Sequence, residues 1–85
     1  MNNLQKNNLD ILIFTYEGQE KIIKVKIEEN QLFLYIIYDL KNQNFIPQKA
    51  NNFFLMKDNE MINIDPMKGL KDNGLKDVDT ICVVV

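Results

Sequence analysis

The last stretch, Thr80-Ile81-Cys82-Val83-Val84-Val85, most constrains what this chain can fold into. It is an apolar, largely β-branched run that follows the turn-like Asp77-Val78-Asp79. β-branched residues favour strands. A strand that reads as a near-continuous apolar run is of the central, parallel kind, buried on at least one face. The rest of the chain must then supply neighbouring strands, and an element to cover them.

Three further segments meet the first need. Asp10 to Tyr16 alternates, with Ile11, Ile13 and Thr15 on one face and Leu12, Phe14 and Tyr16 on the other. Lys21 to Ile27 alternates again, with Ile23, Val25 and Ile27 opposite Ile22, Lys24 and Lys26. The connection Glu17-Gly18-Gln19-Glu20 contains a glycine able to take a positive φ, so the pair reads as a β-hairpin. Asn52 to Met56 is a third strand, and Met61 to Ile64, beyond the turn Lys57-Asp58-Asn59-Glu60, a weak fourth.

Between the hairpin and the third strand the period changes. Phe33, Ile36, Ile37 and Leu40 recur at i, i+3, i+4 and i+7, which is one face of a helix. Asn30 suits its N-cap, with Glu28 and Glu29 just ahead. The spacing predicts a helix from Gln31 to Leu40, ended by Asn42-Gln43-Asn44, with Ile46 extended before Pro47. Asp65-Pro66 and Gly69 mark a loop, and Leu70 to Leu75 a short turn. The order β-β-α-β-β-β reads as an α+β fold, a mixed sheet packed on one helix: the β-grasp architecture. Its last strand lies centrally and parallel to the first. Residues 10–85 form one domain and residues 1–9 a polar, flexible arm.

At 46% hydrophobic and 26% charged residues the 85-residue chain is globular. A net charge of −2 without a basic patch argues against nucleic acid as partner. The longest apolar stretch, Leu32 to Tyr38, is far short of the ~20 residues that span a bilayer, so no membrane is expected. The N-terminus lacks the apolar core of a signal peptide, and the single Cys82 cannot form an internal disulfide. Both point to the cytoplasm or nucleus.

Little here supports catalysis. There is no histidine, so Cys82 would be a nucleophile without its usual base. Asp77 and Asp79 are ordinary turn residues, and Asp58-Asn59-Glu60 does not match Ca²⁺-loop spacing. No enzyme activity, cofactor or metal is expected.

The chain resembles ubiquitin and its ubiquitin-like domain relatives over residues 11 to 85. Ile11 to Met56 can be laid on ubiquitin without a gap, including Ile46-Pro47 and the strand Phe53-Phe54-Leu55. The second half carries a Leu-x-Asp-x-x-Ile-x-x-x-x-Thr-like pattern, here Leu70-Lys71-Asp72-Asn73-Gly74-Leu75-Lys76-Asp77-Val78-Asp79-Thr80-Ile81. The resemblance implies a core of Ile11, Ile13, Ile23, Val25, Ile27, Phe33, Ile36, Leu40, Phe53, Leu70, Leu75, Ile81 and Val83. It leaves Leu12, Phe14, Tyr16, Ile22, Phe54, Cys82 and Val84 on the outward face.

Ubiquitin is read through an apolar patch of a leucine, an isoleucine and a valine. Those positions here hold Gly18, Phe54 and Val84, while Asn52 and Asp58 replace a flanking arginine and a lysine. The resemblance therefore implies a protein-binding role with altered partner choice. The residues expected to carry it are Leu12, Phe14, Tyr16, Phe54 and Val84 on the sheet, with Leu34 and Tyr38 on the helix. No Gly-Gly tail is present, so a non-conjugated interaction module is expected, monomeric or part of a larger eukaryotic adaptor in the ubiquitin and proteasome pathway. The alternatives are a modifier whose tail is missing from this sequence, or a Ras-binding or PB1-type β-grasp binder using Lys21, Lys24 and Lys26.

Overall fold

A computed structural model describes residues 10–26 and 31–85. Its elements run β1 (Asp10–Tyr16), β2 (Gln19–Val25), α1 (Phe33–Asn42), β3 (Asn52–Lys57), β4 (Glu60–Asn63) and β5 (Asp79–Val84). The five strands form one mixed sheet in the order β2-β1-β5-β3-β4. β5 lies at its centre, parallel to β1 and antiparallel to β3. This is the β-grasp arrangement, and it explains the apolar C-terminal run: Ile81 and Val83 are buried beneath the helix.

The helix stripe behaves as the period requires, with Phe33, Ile36, Ile37 and Leu40 buried. Phe33 sits at the middle of an aromatic core, 6.0 Å from Phe14 and 5.7 Å from Phe53 between ring centroids. Both ends of α1 are closed by backbone groups. At the C-terminus Asn44 takes a φ of 61°, and Asn44 and Phe45 donate to the carbonyls of Lys41 and Leu40. That is a Schellman closure, with Phe45 packing on the core behind it. At the N-terminus the cap residue is Leu32, which has no capping side chain. The amides of Phe33 and Leu34 donate instead to the carbonyls of Lys68 and Pro66, each at 3.0 Å. The expected helix start is thus shifted by two residues. The expected cap Asn30, with Glu28, Glu29, Ile27 and the arm 1–9, lies outside the described residues.

The expected facing of β1 is overturned. Leu12 and Phe14 are fully buried, while Ile11, Ile13 and Thr15 are half-buried on the other side of the sheet. The hairpin pairing puts Leu12 and Phe14 on the same face as Ile23 and Val25, and a four-residue loop would have given the same facing. Tyr16 pairs with Gln19, so the loop is the two residues Glu17-Gly18 and not four. Both have positive φ, 51° and 80°, the geometry of a type I′ turn. In this register Leu12 faces Ile23 and Phe14 faces Lys21, on the side that also carries buried Val25. A one-residue change of facing moves every side chain of a strand to the opposite face. Here both alternating sets are apolar, so alternation alone could not choose between them. The turn joining β3 to β4 is of the same kind, with Asp58 and Asn59 at φ 52° and 64°.

The segment from Asp65 to Leu75 is organised by Asn73. Its amide oxygen accepts from the Asp65 amide at 2.9 Å, and its NH₂ donates to the carbonyls of Asp65 at 2.9 Å and Gly69 at 3.0 Å. Asp77 and Asp79 also act on the backbone. Asp77 Oδ1 accepts from the Ile11 amide, and Asp79 Oδ2 from the Lys76 amide. Between them Val78 is held at φ 65°, a conformation that β-branched residues rarely adopt.

Candidate functional site

Among the described residues the sheet order leaves β2 and β4 as edge strands. β4 is short and exposed along its length, whereas β2 has seven residues and borders the helix. α1 crosses the sheet on its apolar stripe, and its flank overhangs β2. Between them lies a cleft of about 480 Å³, lined by Ile23, Lys24 and Val25 of β2, by Lys26 just beyond it, and by Tyr35, Ile36, Tyr38, Asp39 and Asn42 of α1. Tyr35 and Tyr38 are 55% and 51% exposed. They stand at i and i+3 on one helix face, which is why they reach the same cleft.

The turn geometry sets what the β2 edge offers. In a two-residue hairpin the residues flanking the turn form a hydrogen-bonded pair, and such pairs alternate along the ladder. With Tyr16 and Gln19 as that pair, Gln19, Lys21, Ile23 and Val25 direct their backbone groups toward β1. Glu20, Ile22 and Lys24 then direct theirs to the open edge. Their side chains lie on the sheet face away from the helix, and those of Ile23 and Val25 lie toward the cleft.

The outer sheet face carries a second feature. Successive register partners Ile22, Ile13, Thr80, Met56 and Met61 make one row across all five strands. Beside it runs Thr15-Cys82-Phe54. On this face Ile11 and Ile13 stand in place of the expected Leu12 and Phe14, and Glu20, Lys24, Asn52 and Asn63 share it.

The expected binding residues thus separate. Leu12 and Phe14 belong to the core and present no surface. Tyr16 lies on the core side, half-buried, with its ring 6.4 Å from Phe45 in an edge contact. Its phenol is held above the usual tyrosine range by loss of solvent, then by the charge of Glu17 and a hydrogen bond to it. Phe54 and Val84 stay on the outer face, where Phe54 pairs with Cys82 and Val84 with Asn52. Tyr38 lines the cleft. Leu34 does not, and its neighbour there is Tyr35. Of the other lining residues, Tyr35 and Ile23 were not among the expected site residues, and Lys24 belonged to the Ras-binding or PB1-type alternative. Their sequence signals were an aromatic pair off the core stripe and lysines alternating along β2.

Among the described residues no group of three His, Cys, Asp or Glu side chains gathers as a metal site would require. Among them, too, no helix is long and apolar enough to cross a membrane.

No family model matches the chain, and no curated protein matches it. A solved structure described as "Molecular Mimicry of SUMO promotes DNA repair" is similar over 95% of this chain and 96% of its own, with a TM-score of 0.66 and 16% sequence identity. At that identity the likeness speaks for the fold. The chain has the ubiquitin-like β-grasp fold.

Proposed function

We propose that this domain is a protein-interaction module that holds an extended segment of a partner protein against β2, in the cleft beneath α1. The open seven-residue edge, bordered by a cleft with two exposed tyrosines, carries this reading. An added strand pairs with the outward backbone groups of Glu20, Ile22 and Lys24, which supplies affinity without sequence preference. Its alternate side chains point into the cleft, against Ile23, Val25, Tyr35 and Tyr38, which favours β-branched and aliphatic residues there. The intervening side chains lie near Lys24, and Lys21 on the same strand and Lys26 just beyond it add positive charge. Acidic residues next to the apolar ones fit that field.

The likeness to a protein described as a mimic of SUMO supports a binding role over a chemical one. A chain without histidine supports the same choice. In this reading the domain is an intracellular adaptor and not an enzyme.

The outer sheet face offers a second reading, since the row from Ile22 to Met61 lies beside Phe54 and Val84. A fluorescence-anisotropy titration separates the two. The probe is a labelled peptide of four alternating Val and Ile residues flanked by Asp and Glu. Tyr38→Ala should weaken binding about tenfold, as removal of a central aromatic anchor does. Phe54→Ala should leave it unchanged. The reverse pattern would move the site to the sheet face.

A further inference from the structure

The charge pattern of β2 fits itself. Glu20, Ile22 and Lys24 share the outer sheet face, all three are exposed, and all three direct their backbone groups to the open edge. We propose that β2 pairs antiparallel with β2 of a second copy of this chain, about a two-fold axis through Ile22. This rests on the same open edge as the peptide-binding reading.

Residues directly opposite in an antiparallel pair lie on the same face, which restricts the possible registers. Centring the axis on Ile22 sets Glu20 against Lys24 of the second copy, Lys24 against its Glu20, and Ile22 against Ile22. Both charged pairs are complementary, and the 63%-exposed Ile22 is covered. Sliding the centre one residue toward the turn sets Lys21 against Lys21. Sliding it one residue the other way sets Ile22 against Lys24. Of these three, only the Ile22-centred register matches charge with charge and apolar with apolar on the outer face; on the helix side it sets Lys21 opposite Ile23 of the second copy.

The axis stands perpendicular to the sheet, so both helices lie on one side of the joined sheet. Tyr35 and Tyr38 of each copy flank the seam. The apolar rows on the outer face meet at Ile22 and become continuous. A long open edge is a template for uncontrolled pairing, and a closed two-fold pair removes it. The second copy and a partner peptide compete for the same backbone groups, so self-pairing keeps the edge covered until a stronger strand displaces it.

Analytical ultracentrifugation of the whole chain, from micromolar to millimolar concentration, tests this. Wild type should show a concentration-dependent dimer that weakens with salt. Glu20→Lys places like charges opposite each other twice, as does Lys24→Glu, and each should raise the dimer dissociation constant about tenfold or more. Mixing the two variants restores both pairs, and so does the double variant E20K/K24E; each should return the dimer. Unchanged melting temperatures confirm that the variants fold. A wild type that stays monomeric at millimolar concentration overturns the proposal, and so does a dimer indifferent to these exchanges. The peptide titration on wild type diluted below the dimer dissociation constant, where the chain is monomeric, reads the peptide site separately. Binding there with no wild-type dimer would remove self-pairing and leave the peptide site standing.

Discussion

Replacing Asn73 with alanine should cost far more than its place in an exposed turn suggests. Its side chain makes three close hydrogen bonds, to the Asp65 amide, the Asp65 carbonyl and the Gly69 carbonyl, at 2.9, 2.9 and 3.0 Å. The loop it ties together presents the Pro66 and Lys68 carbonyls to the first amides of α1. Each such bond contributes about 1 kcal/mol net. Partial exposure of the side chain lets water replace some of it, so a loss of about 2 kcal/mol is expected. For a domain of this size the total is on the order of 5–10 kcal/mol, and the melting temperature should fall by roughly 8–16 °C. Thermal and urea unfolding followed by far-ultraviolet circular dichroism measure both quantities.

Asn73→Asp sharpens the test. It keeps an acceptor for the Asp65 amide, but sets a carboxylate against two carbonyls. The ionised form is disfavoured in the folded state, so the folded pKa is raised above the unfolded one. The native state then binds the extra proton more tightly. Relative to wild type at the same pH, Asn73→Asp should recover stability as pH falls through the carboxylate range. Hydrogen exchange at the Phe33 and Leu34 amides should quicken in both variants. A loss below about 0.5 kcal/mol for Asn73→Ala, the level of an ordinary surface change, would mean that these bonds do not hold the loop. So would unchanged exchange at those two amides.

Two other substitutions read the fold directly. Phe14→Ala should cost about 3–5 kcal/mol in urea unfolding and Ile13→Ser under about 1 kcal/mol; the opposite ranking would restore the other facing of β1. Val78→Gly should raise stability by about 1 kcal/mol, because glycine adopts the φ of 65° without strain; a lower melting temperature would mean that the valine side chain makes a contact worth more than the strain.

What could be read from the sequence was what short-range periodicity decides. The stripe Phe33-Ile36-Ile37-Leu40 lies within one helix, so its buried face was legible residue by residue. The apolar run ending at Val83 and Val84 announced a central strand for the same reason. The facing of β1 was not legible. Ile11-Ile13 and Leu12-Phe14 are equally good apolar sets, and the choice between them comes from pairing that shares a face with Ile23 and Val25. The turn Glu17-Gly18 was hard to delimit, because a glutamate at positive φ is not a residue that advertises it. Asn73, between Asp72 and Gly74, reads as a turn former, and its bonds back to Asp65 and Gly69 exist only once the loop has closed. The cleft is likewise a product of the fold. It joins β2 to α1, and its signals were the tyrosines left off the helix stripe and the lysines alternating along the strand.

Where a bound strand touches the domain decides between the β2 edge and the sheet face most directly. Backbone amide shifts of isotope-labelled protein, titrated with the Val/Ile peptide flanked by acids, give that map. Binding at the β2 edge should give large changes along Glu20 to Val25 and at Tyr35, Tyr38, Asp39 and Asn42, with the amides of Glu20, Ile22 and Lys24 gaining protection from exchange. Changes centred on Phe54, Met56, Cys82 and Val84, with the β2 amides unmoved, would contradict it.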